Sequence, residues 1–356
     1  MVDITIDEET VRAAAYGGAL LGGGGGGAIE EGLRLGRLAL ELGRPRLISL
    51  ADLDEQAILV TVAAVGAPSA ATRHVEPRHY VQAVELLLAH LDTPVAGLIT
   101  NENGGMATIN GWLQSAVTGL PVVDAPCNGR AHPTGMMGAM GLDQVPGYVA
   151  RQAAVGGDLE ADRHVRIYVE GSLTSAARLV RQSAVEAGGL VAVARNPVTV
   201  GYARQHAAPG AVGQAIHVGR ALLAAANSQE AAEAVCQVLG GELICQAPVT
   251  HVALCSEAGF DVGRIELAGG YELTFWNEYM TLEHQGRRLA TFPDLIATLS
   301  AAEPRPLTSA EIRQGQMLLV IRVAKERLRL GAGMRRAELF RAAEEAVGKE
   351  IIRYVF

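Results

Sequence analysis

The sequence predicts an α/β fold: an N-terminal parallel or mixed α/β domain, followed by a smaller, β-rich α+β domain. Two apolar runs, Val95–Ile99 and Leu120–Val123, flank a helical segment, which is the order of a βαβ unit. Beyond Glu242 the pattern changes to short alternating segments divided by glycines, which is typical of antiparallel strands. A polar bend at 156–163 separates the two patterns, so we place the domains at residues 1–163 and 164–356.

The first half alternates helical and strand patterns. Helical spacing over Asp7–Ala19 runs into six glycines, Gly22–Gly27, and a second helical segment follows them directly. Residues 146–154 carry no clear pattern. The other predicted elements are strands over Arg46–Leu50 and Ala57–Val65, the second with a glycine-bearing loop at 66–69, and helices over Val81–Leu91 and Trp112–Val117.

The second half begins with helices and ends in strands. Pro209-Gly210 divides the helical stretch Val200–Leu223 into two short helices. Alternation over Arg264–Leu267 and Tyr271–Phe275 predicts a hairpin. The remaining predicted elements are strands over Val165–Val169, Leu190–Ala194 and Leu318–Val323, and helices over Ser172–Ala187, Ala231–Leu239 and Ala337–Val347.

Composition restricts the classes of partner. The 356 residues are 49% hydrophobic and 19% charged, and no apolar run approaches the roughly 20 residues of a membrane span. The formal net charge of −8 and the lack of a basic run argue against nucleic acid. A small-molecule substrate is therefore the expected partner. Since the start of the chain is acidic and has no basic leader, we expect a cytoplasmic protein. The apolar composition also predicts a homo-oligomer.

Polar, glycine-rich clusters follow both strands of the βαβ unit. Glu102 lies between Asn101 and Asn103, with Gly104 next, and Cys127 lies between Asp124 and His132. Loops at the carboxyl ends of parallel strands share one edge of a sheet, so we expect Glu102 and Cys127 to face one pocket. A nearby imidazole or guanidinium would favour the thiolate of Cys127, whereas a buried cysteine is as often a small core residue.

The cluster after the second strand supplies the remaining candidate groups. Cys127 is the candidate nucleophile, Glu102 and His132 are the candidates for proton transfer, and Asp124 is the candidate orienting group. Glu102 has a plainer interpretation as a solvated loop acid or helix cap. Candidate substrate-binding residues in these loops are Asn101, Asn103, Gly104, Asn128 and Arg130.

Two further segments have unusual composition. The glycine run leads into a helix N-terminus, where exposed N–H groups attract an anion, so Gly23, Gly24, Gly25 and Gly26 are candidate substrate-binding residues. A flexible turn is the alternative, and no lysine follows as in a phosphate-binding P-loop. In the second half, Asn277 and Glu278 interrupt an aromatic stretch, which suits a flat polar heterocycle or a packed strand with a surface pair.

The segment Leu120–Met137 resembles the S-methyl thiohydantoin desulfurase family. Further matches lie in the glycine run, in Val65–Pro68, at Glu102 with Gly104-Gly105, and at Asn277-Glu278, so that the resemblance spans nearly the whole chain. The frame of the family motif is present as Asp124, Gly129, Arg130, Ala131 and Pro133. Pro126-Cys127-Asn128 and His132 depart from the family's usual residues, which makes this chain similar to a divergent branch.

The residues and the resemblance together support two hypotheses. The first is a hydrolase-type enzyme that attacks a ring C=O or C=N carbon of a small hydantoin-like or thiohydantoin-like cyclic amide or ureide. The second is a non-catalytic protein that binds or senses a related amino-acid derivative. No cofactor is required by the sequence; a divalent metal such as zinc, with the thiolate of Cys127 as a ligand, is a weaker alternative.

Overall fold

The computed structural model describes residues 4–66, 70–257 and 260–356, so the predicted loop at 66–69 lies largely outside the described residues. Two eight-stranded sheets with flanking helices form the molecule. The α/β class with a β-rich C-terminal part is confirmed. The strands of the first sheet are β1 (Ile4–Thr5), β2 (Arg46–Ile48), β3 (Ile58–Gly66), β4 (Val95–Thr100), β5 (Val122–Val123), β6 (Ala150–Gly156), β7 (Val165–Gly171) and β8 (Leu190–Thr199).

The first sheet is mixed, with the order β1-β2-β5-β4-β3-β8-β6-β7. Strands β2, β5, β4 and β3 run parallel, as the βαβ pattern predicts, and β8, β6 and β7 add antiparallel pairs. Strand β6 falls where no pattern was found, because almost all of its residues are buried and no alternation marks it. Strands β7 and β8 lie beyond residue 163 and complete this sheet, so the predicted domain division at 163/164 does not separate the two sheets. The division stays a prediction.

The second sheet is antiparallel throughout its described pairs, in the order β13-β12-β11-β10-β9-β16-β14-β15. The hairpin predicted around residues 264–275 is confirmed by the pairing of β10 with β11. Its strands are β9 (Glu242–Glu257), β10 (Phe260–Leu267), β11 (Tyr271–Trp276), β12 (Glu278–His284), β13 (Arg287–Thr291), β14 (Leu295–Ser300), β15 (Pro306–Leu307) and β16 (Met317–Val323).

The helices agree closely with the predicted ones, because most carry an apolar stripe or a clear cap. Asp7 caps the first helix by accepting a 2.8 Å hydrogen bond from the N–H of Thr10. None of the helices in the described ranges combines the length and hydropathy that a membrane span requires. The helices are α1 (Glu8–Gly22), α2 (Ile29–Leu42), α3 (Pro77–Leu88), α4 (Trp112–Thr118), α5 (Leu173–Glu186), α6 (Val200–His206), α7 (Ala211–Ala224), α8 (Ser228–Leu239), α9 (Arg341–Val347) and α10 (Ile352–Val355).

Helix α1 connects the cores of the two sheets. Its first turns pack in the core of the first sheet, whereas Leu20 and Leu21 pack with residues of α8, β14 and β16. It crosses α7 so closely that a Cβ added at Gly17 would lie 1.8 Å from the carbonyl oxygen of Ala215. Since α1 ends between the sheets, the glycine run that follows it lies at the junction of the two halves.

Candidate functional site

A cavity of about 650 Å³ opens between the two halves of the molecule, a size usual for small-molecule sites. Both sheets and the glycine run contribute to its wall. Its lining includes Gly24–Gly27, Ala28, Glu31, Arg34, Arg73, Tyr80, Asn101, Glu102, His132, Arg195, Asp261, Asn277 and Glu278.

Glu102 and His132 form a contact pair in the wall of this cavity. The Oε2 atom of Glu102 lies 3.2 Å from Nε2 of His132 and accepts a 3.3 Å hydrogen bond from the backbone N–H of His132. The side chain of Glu102 is 15% exposed and that of His132 is 1% exposed. Both residues line the cavity, and Glu102 is the more exposed of the two. The chain brings together these two predicted proton-transfer residues, which follow β4 and β5.

The hydrogen bond made by Nδ1 of His132 identifies the tautomer of the ring. Nδ1 lies 3.0 Å from the carbonyl oxygen of Thr134, and a carbonyl only accepts, so Nδ1 carries the proton. Burial lowers the pKa of His132 to about 3, which keeps the ring neutral and leaves Nε2 as an acceptor. Burial also raises the pKa of Glu102 to about 8. A proton bound by Glu102 therefore has Nε2 of His132 as an acceptor.

Asn101 and Arg195 hold this pair in place. Arg195, buried on β8, donates a 2.7 Å hydrogen bond from Nη2 to Oδ1 of Asn101. This contact fixes the amide so that Nδ2 of Asn101 faces Oε2 of Glu102 at 3.1 Å and Nε2 of His132 at 3.3 Å. The positive charge of Arg195 opposes the rise in the pKa of Glu102 and the protonation of His132.

Glu278 supplies a second carboxyl group, from the second sheet. It is buried, lines the same cavity, and its Oε2 has no hydrogen-bond partner among the described residues. Burial, and secondly the negative charge of Glu102, raise the pKa of Glu278 well above its ordinary value. Two carboxyl groups that interact in this way resist simultaneous ionisation, so the pair retains protons at neutral pH.

The glycine run is anchored by its carbonyl groups. The oxygens of Gly23 and Gly24 accept hydrogen bonds of 2.8 and 2.9 Å from the N–H groups of Tyr279 and Ser309, and that of Gly26 accepts from Met106 and Ala107. The N–H groups of Gly26, Gly27 and Ala28 have no acceptor among the described residues. These three residues line the cavity just before α2, whose cap Ala28 has no side-chain hydrogen bond.

Glycine is required where this run meets other backbone or a carboxyl group. A Cβ added at Gly104 would lie 2.3 Å from Cα of Gly26, and one added at Gly25 would lie 1.9 Å from Oε1 of Glu278. Gly26 also has a φ of +79°, which favours glycine. Gly24, Gly25 and Gly26 line the cavity, and their substrate-binding role stays a prediction, whereas Gly23 and Gly104 lie outside the lining.

Cys127 does not line the cavity. It is 1% exposed, packs in an apolar cluster under β3, and its Sγ lies 3.3 Å from the hydroxyl oxygen of Thr61. Burial raises the pKa of Cys127 to about 11, so that the thiol is protonated at neutral pH. The expectation that Glu102 and Cys127 face one cavity is corrected for Cys127, because its side chain points into the core behind the strand. The nucleophile role stays an unsupported prediction.

Asp124 lies at a different cavity, beside the start of α7. Its Oδ1 and Oδ2 accept hydrogen bonds of 2.7 and 3.0 Å from the N–H groups of Val212 and Gly213. These bonds satisfy backbone N–H groups in the first turn of α7, which is the role of a helix-capping side chain. The Asp124 side chain makes no hydrogen bond with Cys127 or His132, so its orienting role stays an unsupported prediction.

Two of the predicted asparagines are structural in this geometry. Asn103 donates to the carbonyl oxygens of Gly129 and Ala211, at 3.1 and 2.9 Å. Asn128 donates a 2.8 Å bond to the carbonyl oxygen of Arg130 and accepts one from Gly331. Both side chains are fully buried and tie loops together away from the cavity lining.

Arg130 and Asn277 support the cavity wall. Arg130 is fully buried, stacks over the ring of Phe292 at 4.5 Å, and donates from Nη1 to the carbonyl oxygens of Pro293 and Asp294. Burial lowers its pKa to about 10, against the opposing pull of Glu278. Asn277 has a φ of +58° and accepts a 2.8 Å bond from the N–H of Asp261, which fixes the turn that presents Glu278.

Sequence reasoning missed Arg195 and Tyr80. An arginine directly after the apolar run 190–194 was the available signal for Arg195, because a charge inside a buried strand needs a partner. No sequence pattern marked Tyr80, because it occupies a buried position of its helix that any apolar residue could fill. No group of three or more His, Cys, Asp or Glu side chains is positioned to hold a metal ion within residues 4–66, 70–257 and 260–356.

Comparison with known proteins agrees with this architecture. Residues 9–158 match the N-terminal domain model of the S-Me-THD-like family, and residues 172–338 match its C-terminal domain model. An X-ray crystal structure of a protein from Chromobacterium violaceum has the same fold, with a TM-score of 0.72 and 21% identity over 97% of this chain and 96% of that one. The curated proteins contain no match. The chain therefore belongs to the S-Me-THD-like family, as its resemblance to the S-methyl thiohydantoin desulfurases predicts.

Proposed function

We propose that this protein is a hydrolase that acts on an S-alkylated thiohydantoin or a closely related small cyclic amide, at the ring C=N or C=O carbon. The observation that carries the proposal is the pair of buried carboxyl groups, Glu102 and Glu278, in the wall of one cavity, with Glu102 backed by a neutral His132. A base whose pKa lies near neutral pH and a protonated acid are the two groups that such a hydrolysis needs.

Glu102 is the general base in this proposal. Its pKa of about 8 gives a workable ionised fraction near neutral pH, and Nε2 of His132 accepts a hydrogen bond from the carboxyl group after it takes a proton. A water molecule loses one proton to Glu102 as its oxygen bonds to the ring carbon that carries the alkylthio group. The C=N electron pair moves to the ring nitrogen, which then receives that proton from Glu102.

Glu278 is the general acid. When the tetrahedral intermediate collapses, the C–S bond breaks, Glu278 gives its proton to the sulfur, and Glu102 takes the remaining hydroxyl proton as the new C=O forms. The products are a hydantoin and an alkanethiol. Transfer of one proton from Glu102 to Glu278 restores the starting state, so the overall reaction consumes one water and changes no oxidation state.

The unpaired N–H groups of Gly26, Gly27 and Ala28 support the same reaction. They line the cavity immediately before an uncapped helix N-terminus, which favours negative charge. In the proposal they stabilise the charge that develops on the ring during attack, as oxyanion-binding amides do in acyl transfer. Cys127 has no part in this mechanism.

The test is incubation of the protein with 5-substituted S-methyl thiohydantoins, followed by ultraviolet absorbance of the ring and by titration of released methanethiol. Turnover that falls by about 10²-fold or more in Glu102→Gln supports the proposal. The alternative, a protein that only binds such compounds, predicts an unchanged spectrum together with a raised melting temperature. That result would remove the catalytic role and leave the binding site.

A further inference from the structure

The first sheet has an open edge at β7. Strand β6 pairs with β7 along its whole length, and no described strand pairs with the other side of β7. No residue of β7 is fully buried, whereas almost every residue of β6 is, which is the burial expected of an uncovered edge. Alternate residues of an edge strand point their N–H and C=O groups away from the sheet, where another strand can pair with them.

Strand β7 differs from the other three strands that end the two sheets. As described, β1 and β15 are two residues long, and β13 pairs with β12 through a register shift and begins with two adjacent arginines. Short length, irregular pairing and like charges keep sheet edges from pairing between molecules. The second half of β9 also has one open side among the described residues, and it begins at a register shift. Strand β7 has seven residues, no proline and no register shift against β6, so it lacks these protective features.

The charges of β7 lie symmetrically about Tyr168. Arg166 and Glu170 stand two residues before and two residues after it, and both are exposed. Arg166 has no hydrogen bond or ion pair with a described residue, whereas Glu170 accepts a 2.9 Å bond from the hydroxyl of Tyr168 and lies 3.6 Å from Nε of Arg151. If two copies pair antiparallel with Tyr168 on the two-fold axis, Arg166 of each copy lies opposite Glu170 of the other. The strand is therefore complementary in charge to itself.

The opposite face of β7 is apolar and matches in the same register. Val165, Ile167 and Val169 pack against apolar clusters that include residues of α5, and all three stay partly exposed in a single copy. With Tyr168 on the axis, Ile167 of each copy lies opposite Val169 of the other, and β-branched cross-strand pairs stabilise antiparallel sheets. A slip of one residue would instead place Ile167 opposite Glu170, so the apolar pairs and the charge pairs favour one register.

We propose that this protein forms a two-fold symmetric homodimer by antiparallel pairing of β7 with β7 of a second copy, centred on Tyr168. This inference goes beyond the proposed function and does not depend on it. A strand of another protein would find the same open backbone groups. A second copy is the partner that, by symmetry alone, presents Glu170 to Arg166 and Val169 to Ile167 twice, which is the self-complementarity of an isologous interface.

The test is the molecular mass in solution, measured by sedimentation velocity across the micromolar range. We expect the wild-type protein to be a dimer. Arg166→Glu and Glu170→Arg each place like charges opposite one another twice, so we expect each to raise the dissociation constant at least about 10-fold. The double variant that combines them restores both ion pairs, and we expect it to dimerise within about threefold of wild type. Arg287→Glu is the matched control, because Arg287 is an exposed arginine on β13, which ends the second sheet.

The outcomes decide the proposal directly. A wild-type protein that is monomeric throughout this range overturns it, and so does a dimer that both single variants leave unchanged. Dissociation caused by Arg287→Glu and not by Arg166→Glu places the interface at β13 and likewise overturns the proposal. Weak dimerisation in both single variants without recovery in the double variant rejects the opposed charges and this register. Circular dichroism melting curves equal to that of wild type show that the variants are folded, so that a change in mass reports the interface.

Discussion

Oε2 of Glu102 lies 3.2 Å from Nε2 of His132, whose other nitrogen lies 3.0 Å from the carbonyl oxygen of Thr134. The carbonyl contact sets the tautomer, and the tautomer makes Nε2 an acceptor that faces the carboxyl group. His132 therefore stabilises the protonated form of Glu102. A buried histidine that is neutral and oriented in this way is a positioning residue for its carboxyl partner.

Replacing Glu102 by Gln removes the proposed base and keeps the shape of the side chain. We expect kcat on an S-methyl thiohydantoin to fall by about 10²–10⁴-fold, the usual contribution of a general base. The melting temperature should not fall, because a buried carboxyl group is replaced by a neutral amide of the same size. Glu303→Gln, a surface change in a turn of the second half, is the control. Unchanged turnover in Glu102→Gln would rule out the base.

The rate should depend on pH in the direction that the raised pKa values require. Glu102 must be ionised to accept a proton, and its pKa is raised to about 8, so kcat/KM should increase as pH rises through about 8. Glu278 must be protonated and its pKa is raised as well, so the rate should fall again once that group ionises. A pH profile of kcat/KM measures both limbs; a flat profile from pH 5 to 9 contradicts the assignment.

Cys127→Ala distinguishes a core cysteine from a nucleophile. Since Cys127 is buried against Thr61 and its pKa is raised to about 11, we expect kcat/KM within about twofold of wild type and a loss of stability of about 1 kcal/mol. Denaturant unfolding gives the stability, and Cys255→Ala, an exposed site, is the matched control. A loss of 10²-fold in activity with an intact fold would restore the nucleophile.

Gly25→Ala tests the contact between the glycine run and the second carboxyl group. An added Cβ would lie 1.9 Å from Oε1 of Glu278, so the carboxyl group must move away from the cavity wall. We expect kcat to fall by at least about 10-fold, since misplacing an acid by an ångström is costly. Gly171→Ala is the control, because a Cβ there would meet nothing within 4 Å. Equal activities of the two variants would contradict the role of Glu278.

Local sequence patterns predicted the elements whose structure depends mainly on interactions between residues near each other in the chain. The helices around the glycine run, the parallel pairing of β4 with β5, and the hairpin of β10 and β11 were predicted because caps, periodicity and alternation mark them. Strand β6 was not predicted, because it is buried on both faces and so lacks alternation. Its pairing with β8 is a long-range contact that no local window contains.

The sequence by itself determined the fold class, the family resemblance, and the two loops in which Glu102 and His132 were named as candidates for proton transfer. Only the tertiary structure decided which of the neighbouring polar residues reach the cavity. Glu102 and Cys127 both follow strands at one sheet edge, yet one side chain faces the cavity and the other faces the core behind Thr61. Side-chain direction at a strand end depends on the packing of the opposite face, and the partners Arg195, Glu278 and Tyr80 come from distant segments that only folding brings together.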